Sequence, residues 1–203
     1  MREVALGDLV KFQMGGTPPR EEPMFWATSG NGFPWVSISD MQGREISTTA
    51  EQITESGIQA ARLKMVPAGT PIMSFKLTIG RCAIPAIDCY TNEAIVALHA
   101  RPHVACSSWL FHAVPRAVSS AVTETAVKGQ TLNLKKLAGI KIVVPNSLAE
   151  QHRIAEILNS VDGVTETTEK LVDKLRLLKQ GLADDLLSGR VPVARSAEAL
   201  ADL

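Results

Sequence analysis

The stretch that decides the fold is Ser147–Gly189, SLAEQHRIAEILNSVDGVTETTEKLVDKLRLLKQGLADDLLSG. Its apolar residues recur at alternating spacings of three and four, which predicts one long helix with a coiled-coil seam. Ser147 and Glu150 have the spacing of a capping box, and Gly189 is a typical stop signal. The predicted seam consists of Ile154, Ile157, Val161, Val164, Thr168, Leu171, Leu175, Leu178 and Leu182.

A helix of this length would extend over roughly 60 Å, which exceeds the width of a small domain. Two arrangements would cover its seam: pairing with a second long helix, in the same or another chain, or packing against its own domain. A helix packed on its own domain usually carries a wider apolar stripe, so the narrow seam favours pairing. Gly163 predicts a weak point, because glycine costs about 1 kcal/mol relative to alanine inside a helix.

The remaining composition indicates a globular protein. The chain has 203 residues, of which 45% are hydrophobic, enough for one substantial core and an appendage. No apolar run reaches the length of a membrane-spanning helix. Because Met1 is followed directly by charged residues, we expect no signal peptide and a cytoplasmic location.

Three cysteines suggest reduced thiols in a core rather than a disulfide framework. A zinc site can be drawn from Cys82, Cys89, His99 and His103, but six residues separate the two cysteines, whereas structural zinc sites usually pair closer ligands. We therefore expect neither a metal nor another cofactor.

The charge is unevenly distributed along the chain. The net charge is zero, but residues 1–146 hold 14 Lys and Arg against 11 Asp and Glu, while residues 147–203 hold 7 against 10. A modestly basic first part, at +3, is compatible with DNA contact through a few loops, although the excess alone does not establish it.

Ahead of the long helix, short apolar runs separated by turn residues predict a mixed α/β (α+β) domain. Phe33–Ser39 alternates like a strand, Pro71–Phe75 and Ala94–Leu98 are short apolar strands, and Ile140–Val144 is the last. Cys106–Val127 has a helical pattern, with a break expected near Pro115. We expect three regions: a domain at 1–146, the helix at 147–189 and a tail at 190–203.

Three polar loops carry side chains suited to phosphates and base edges. Cations and hydroxyl groups typically contact phosphate, whereas Gln and Asn match adenine. For the second loop, which holds Lys76, Thr78 and Arg81, an ordinary solvated turn is an alternative interpretation. For this hairpin segment and for the Thr-Pro-Pro segment that begins at Thr17, a purely structural turn is a further alternative. The candidate DNA-contacting residues are Thr17 and Arg20, then Lys76, Thr78 and Arg81, then Lys128, Gln130, Thr131 and Asn133.

Familiar catalytic patterns are absent from the sequence. It has no Walker loop, Gly-x-Ser-x-Gly elbow, metalloprotease His pair or Asn-Pro-Pro-aromatic methyltransferase motif. His112 and His152 lack an obvious acidic or thiol partner in sequence. The sequence therefore predicts no catalytic residues.

Six stretches, in this order, resemble the specificity (S) subunits of type I restriction-modification systems from Val4 to about Val193. They are LGDLVKFQMGGTPP, FPWVSISDM, PAGTPIMSFKLTIGRCAI, TNEAIVAL, KGQTLNLKKLAGIKIVVPNSLAEQHRIAEIL and LLKQGLADDLLSGRVPV. The resemblance implies a target recognition domain followed by a spacer helix. In full-length members, two such units pack their helices antiparallel, each domain reads half of a bipartite DNA site, and separate methyltransferase subunits supply the S-adenosylmethionine chemistry. A restriction subunit can join.

This sequence carries one such unit, which leaves several arrangements open. Two copies could pair as a homodimer around a two-fold axis and read a palindromic, interrupted site. Alternatively, the chain pairs with a different S chain, or regulates a methyltransferase without reading DNA itself. A third alternative, an S-like piece of a fused enzyme, is disfavoured by the absent motifs. The family-like ending and the early domain start favour a natural half subunit.

Overall fold

The computed structural model describes residues 1–28, 30–76, 78–127 and 133–192, with only the backbone for 122–127. The chain divides into two compact units, Met1–Glu156 and Ile157–Leu203. No helix in the described part is long and apolar enough to cross a membrane.

The first unit combines short strands with short and medium helices. Its strands are β1 (Arg2–Ala5), β2 (Val10–Met14), β3 (Trp26–Ala27), β4 (Phe33–Val36), β5 (Glu45–Ile46), β6 (Glu51–Ile53), β7 (Ile72–Ser74), β8 (Cys82–Pro85), β9 (Tyr90–Thr91), β10 (Ile95–Ala100) and β11 (Lys141–Val144). Its helices are α1 (Leu6–Leu9), α2 (Glu55–Ala60), α3 (Ser107–Val127), α4 (Leu134–Gly139) and the start of α5 (Leu148–Leu187). The predicted mixed α/β class and long C-terminal helix are confirmed.

The described residues of the first unit form three sheets. The largest has the order β2-β10-β7-β8-β5, a second has the order β3-β6-β4-β9, and β1 pairs with β11. Pairing is mostly antiparallel, with parallel pairs at β4–β9 and β5–β8. Strand β10 divides the core: Val96 and Leu98 face the cluster that also holds α3, whereas Ile95 and Ala97 face a second cluster. Alternating side chains thus bury both faces of the central sheet.

The predicted break at Pro115 is wrong, because α3 is continuous through this residue. A proline inside a helix costs about 3 kcal/mol, since it removes one backbone hydrogen bond and crowds the preceding turn. Leu110, Val114 and Val118 are fully buried on the same helix, and each contributes about 1.5–3 kcal/mol by leaving water. Burial of the three side chains together outweighs the cost of the proline.

The predicted strand Phe33–Ser39 is too long, since β4 ends at Val36 and Ile38–Asp40 forms a 3-10 turn. A capping box between Ser37 and Asp40 replaces further strand pairing: the Ser37 N–H donates to Asp40 Oδ2 at 2.8 Å, and the Ser37 hydroxyl at 2.7 Å. Such local side-chain bonds compete with a β ladder.

Helix α5 begins and ends close to the predicted residues. The Glu150 N–H donates to Ser147 Oγ at 3.1 Å, while the Glu150 carboxylate accepts from the Asn146 N–H at 3.2 Å. The carboxylate thus closes the cap one residue earlier than a standard capping box. At the other end Gly189 has φ +73°, a left-handed conformation that suits glycine after a helix.

The first turns of α5 belong to the first unit and are fixed there by Gln151. This buried side chain accepts a hydrogen bond from the Cys106 N–H at 2.9 Å and donates one to the Val104 carbonyl at 3.1 Å. Ala155 is buried nearby, in the core that includes α3. One amide therefore satisfies two backbone groups ahead of α3 and links them to α5.

We predict that Gln151→Ala lowers the free energy of unfolding by about 2 kcal/mol, because it leaves the Cys106 N–H buried without its partner. Urea denaturation is the measurement, with Gln180→Ala on the exposed surface of α5 as the matched control. Equal stability of the two variants would contradict the role given to Gln151.

Candidate nucleic-acid interface

The Gly-Gly-Thr-Pro-Pro-Arg loop, residues 15–20, lies against the β3-β6-β4-β9 sheet. Strand pairing places Trp35 opposite both Glu51 and Tyr90, on one face of this sheet. The indole N–H of Trp35 donates to the Gly16 carbonyl at 3.1 Å, and that of Trp26 to the Pro19 carbonyl at 3.1 Å. Two tryptophans therefore hold both ends of the loop.

Arg20 is bound within its own domain. Its guanidinium carbon lies 3.9 Å from the ring centroid of Trp26 and 4.9 Å from that of Trp35. Its two terminal nitrogens donate to the two carboxylate oxygens of Glu51, one of them at 3.0 Å. The hydrogen bond with Glu51 raises the pKa of Arg20. Arg20 was predicted to contact phosphate. In this structure its guanidinium instead pairs with both carboxylate oxygens of Glu51 and stacks on Trp26.

Thr17 also bonds to its own domain, through a residue that the sequence analysis missed. Its hydroxyl donates to Glu93 Oε2. This hydrogen bond holds the pKa of the exposed Glu93 carboxyl below its usual value, and the charges of Lys76 and Arg20 act in the same direction. Thr17 thus contacts Glu93 directly, while the charges of Arg20 and Lys76 act on the same carboxylate.

Lys76, Thr78 and Arg81 lie on the connection between β7 and β8, and all three are exposed. The Gly80 N–H donates to the Ser74 carbonyl at 2.9 Å, with Gly80 at φ +88°, and the Ser74 N–H donates to the Arg81 carbonyl at 2.9 Å. The Thr78 hydroxyl reaches Ser74 Oγ at 3.3 Å. These bonds close a tight hairpin that presents two cations to solvent.

The third predicted group is described only at its last residue. Lys128, Gln130 and Thr131 lie outside the described residues. Asn133 caps α4, where its side-chain oxygen accepts from the Lys136 N–H at 3.0 Å. Its predicted base contact therefore stays a prediction, with one acceptor already used by the helix cap.

Little in the sequence indicated which residues bind Thr17 and Arg20. Glu93 follows a polar Thr-Asn pair, and Trp26 and Glu51 belong to strands of two and three residues. Their relation to Thr17 and Arg20 depends on strand pairings that join distant parts of the chain.

The alternative zinc site does not assemble. Among the described residues, no three His, Cys, Asp or Glu side chains lie close enough together to hold a metal ion. Burial raises the pKa of Cys82 and Cys89 to about 12, so both thiols are protonated at neutral pH. His99 Nε2 lies 2.9 Å from Gln13 Oε1.

A second surface runs along α5 in the second unit. Seven of the nine predicted seam residues, Ile157, Val161, Val164, Leu171, Leu175, Leu178 and Leu182, are 53–67% exposed. Ile154 packs against the core of the first unit, and the Thr168 hydroxyl donates to the Val164 carbonyl at 2.8 Å. The ion pairs Lys170–Glu166 and Arg176–Asp173 lie on other faces of the helix. The apolar seam is therefore open to solvent and is interrupted only at Thr168.

Comparison with known families identifies this architecture. The family described as type I restriction modification DNA specificity domain matches residues 1–177. The chain belongs to this family. Its relatives include the EcoR124I/EcoR124II specificity subunit of Escherichia coli, 27% identical over 180 residues, and the MjaIX specificity subunit of Methanocaldococcus jannaschii, 26% identical over 179.

The type I specificity chain spans under half the length of these relatives. It covers 44% of the E. coli subunit and 40% of the M. jannaschii subunit, while 85% and 84% of the chain itself is matched. The crystal structure of an HsdS subunit from Thermoanaerobacter tengcongensis has the same fold, with a TM-score of 0.61 and 21% identity. That match covers 91% of this chain and 44% of the solved one.

We predict that Arg20→Lys lowers the free energy of unfolding by about 1 kcal/mol. Lysine keeps the charge but loses the bidentate pairing with Glu51 and the flat contact with Trp26. Thermal or urea unfolding measures the change, with Arg153→Lys on α5 as a control that keeps its stability within about 0.5 kcal/mol. An equal decrease in the free energy of unfolding of both variants would contradict the role of Arg20 in stabilising the loop at 15–20.

Proposed function

We propose that this chain is the non-catalytic DNA-recognition subunit of a type I restriction-modification complex. The family match over residues 1–177 carries this proposal. Around Glu93, the loop at 15–20 and the β7–β8 hairpin provide a hydroxyl group and cations, which are the groups that contact nucleic acids. A separate methyltransferase subunit supplies the catalysis and its cofactor, and a restriction subunit can join, in the cytoplasm where the DNA is.

Two copies pair through α5 in this proposal. Each seam side chain would gain about 1.5–3 kcal/mol on full burial, so a seam of this length is a strong drive for association. The Thr168 hydroxyl is satisfied by its own helix, so it can enter the seam without losing a hydrogen bond. Two identical domains related by a two-fold axis would read identical, inverted half-sites separated by an unread gap.

The helix also has room for the methyltransferase. Leu158, Val172 and Leu186 extend the apolar stripe beyond the seam, at positions that repeat every 14 residues along α5. The seam itself stays narrow, as pairing requires, and these exposed side chains lie beside it. These side chains are suited to a second contact alongside the paired helix.

The direct test is to co-express the chain with the methyltransferase subunit from the same organism and to map methylated bases in the host DNA. We expect one interrupted motif whose two halves are inverted copies. Two different halves would indicate a different S chain as partner. Methyltransferase binding without any motif would instead favour the regulatory alternative and contradict DNA readout.

Leu171→Asp tests the seam. A buried carboxylate in each helix would cost at least about 3 kcal/mol per pair, which is more than a hundredfold in association. We expect methylation of motif sites to fall at least tenfold at limiting expression. Leu177→Asp is the matched control, because Leu177 is 70% exposed but lies outside the seam. Equal methylation by the two variants would contradict pairing through α5.

A further inference from the structure

Glu93 is an unusual group for a surface that would face DNA. It is exposed and follows Asn92 in the connection between β9 and β10. It lies beside the β7–β8 hairpin, because the Phe75 N–H donates to the Ala94 carbonyl and Ser74 pairs with Ile95. A carboxylate repels phosphate, so its presence here weakens DNA binding unless a hydrogen-bond donor on the DNA faces it. The cluster around it indicates which kind of donor that is.

The backbone around Glu93 is fixed from three sides. The Gly16 N–H donates to the Thr91 carbonyl at 2.8 Å, the Asn92 N–H to the Val36 carbonyl at 3.0 Å, and the Phe75 N–H to the Ala94 carbonyl at 3.0 Å. The side chain is then oriented by the Thr17 hydroxyl. Such support gives a recognition group the rigid placement that discrimination between bases requires.

The charge of Glu93 is maintained by its surroundings. The Thr17 hydrogen bond and the nearby charges of Lys76 and Arg20 favour the ionised form. An ionised carboxylate only accepts hydrogen bonds. In the major groove it therefore matches an exocyclic amino group, above all N4 of cytosine, and it is repelled by the N7 and O6 acceptors of guanine.

We propose that Glu93, oriented by Thr17, accepts a hydrogen bond from the amino group of a cytosine in each half-site, while Lys76 contacts the adjacent phosphate. This inference rests on the proposed DNA-recognition function. It assigns base discrimination to a residue outside the predicted set, and it makes Thr17 a positioning residue. The alternative is that Glu93 only anchors the loop at 15–20 through Thr17.

Glu93→Gln separates the two roles, because glutamine keeps an oxygen acceptor for Thr17 but adds an amide donor. Each variant is co-expressed with the methyltransferase subunit, and methylation is scored at the motif and at every single-base change of it. We expect wild type to require C·G at one position of each half-site. We expect E93Q to lose that preference at least tenfold and to accept A·T there, because glutamine pairs with adenine.

Two further variants serve as controls. Glu55→Gln makes the same chemical change on α2, where Glu55 accepts from Gln59, and should leave the motif unchanged. Thr17→Val removes the orienting hydroxyl, so it should lower methylation at least threefold while the preference for cytosine remains. If E93Q proves unstable in urea, Glu93→Ala carries the test beside Thr17→Val: both variants lose the hydrogen bond between Thr17 and Glu93, but only E93A should lose the cytosine preference.

Each remaining outcome is decisive. Unchanged base preference in E93Q, matching E55Q, would overturn the inference and leave Glu93 as a loop anchor, with the proposed function intact. The same holds if a folded E93A keeps the cytosine preference. If wild-type protein directs no motif at all, the proposed function fails together with the inference.

Discussion

The exposed apolar seam of α5 is the constraint on which the proposed function depends, because an apolar stripe left in water is unfavourable. Seven aliphatic seam residues lie more than half exposed along one helix, in the part of the chain that the structure describes. Water around such a surface is unfavourable by about 25 cal/mol for each Å² of apolar area. Gln151 fixes the start of the same helix to the core of the first unit.

In the candidate DNA surface, polar side chains form hydrogen bonds and ion pairs with one another in the absence of any ligand. Arg20 joins Glu51 and two tryptophans, and Thr17 joins Glu93. Such internal bonds fix the loop in advance and reduce the entropy lost on binding. Because the net charge of the chain is zero, the proposed DNA contact depends on where the individual charges lie.

Sequence periodicity predicted α5 well because a helix depends on neighbours three and four residues away. The capping residues at both ends of α5 could be predicted for the same reason. The break predicted at Pro115 was wrong because burial in the core, which depends on distant residues, outweighed the cost of proline in a helix. The strand predicted at Phe33–Ser39 was too long because the capping box between Ser37 and Asp40 was overlooked. Glu93 was missed because its relation to Thr17 spans 76 residues and depends on sheet pairing. Residue types predicted candidate loops, while only the fold showed that Thr17 contacts Glu93.

The measurement that tests this account most directly is the mass of the purified chain in solution, by light scattering across a dilution series. Pairing through α5 predicts twice the 21.8 kDa of one chain, with dissociation only at high dilution. A mass of 21.8 kDa at every concentration would contradict it, because the exposed seam would then have no affinity for a second copy.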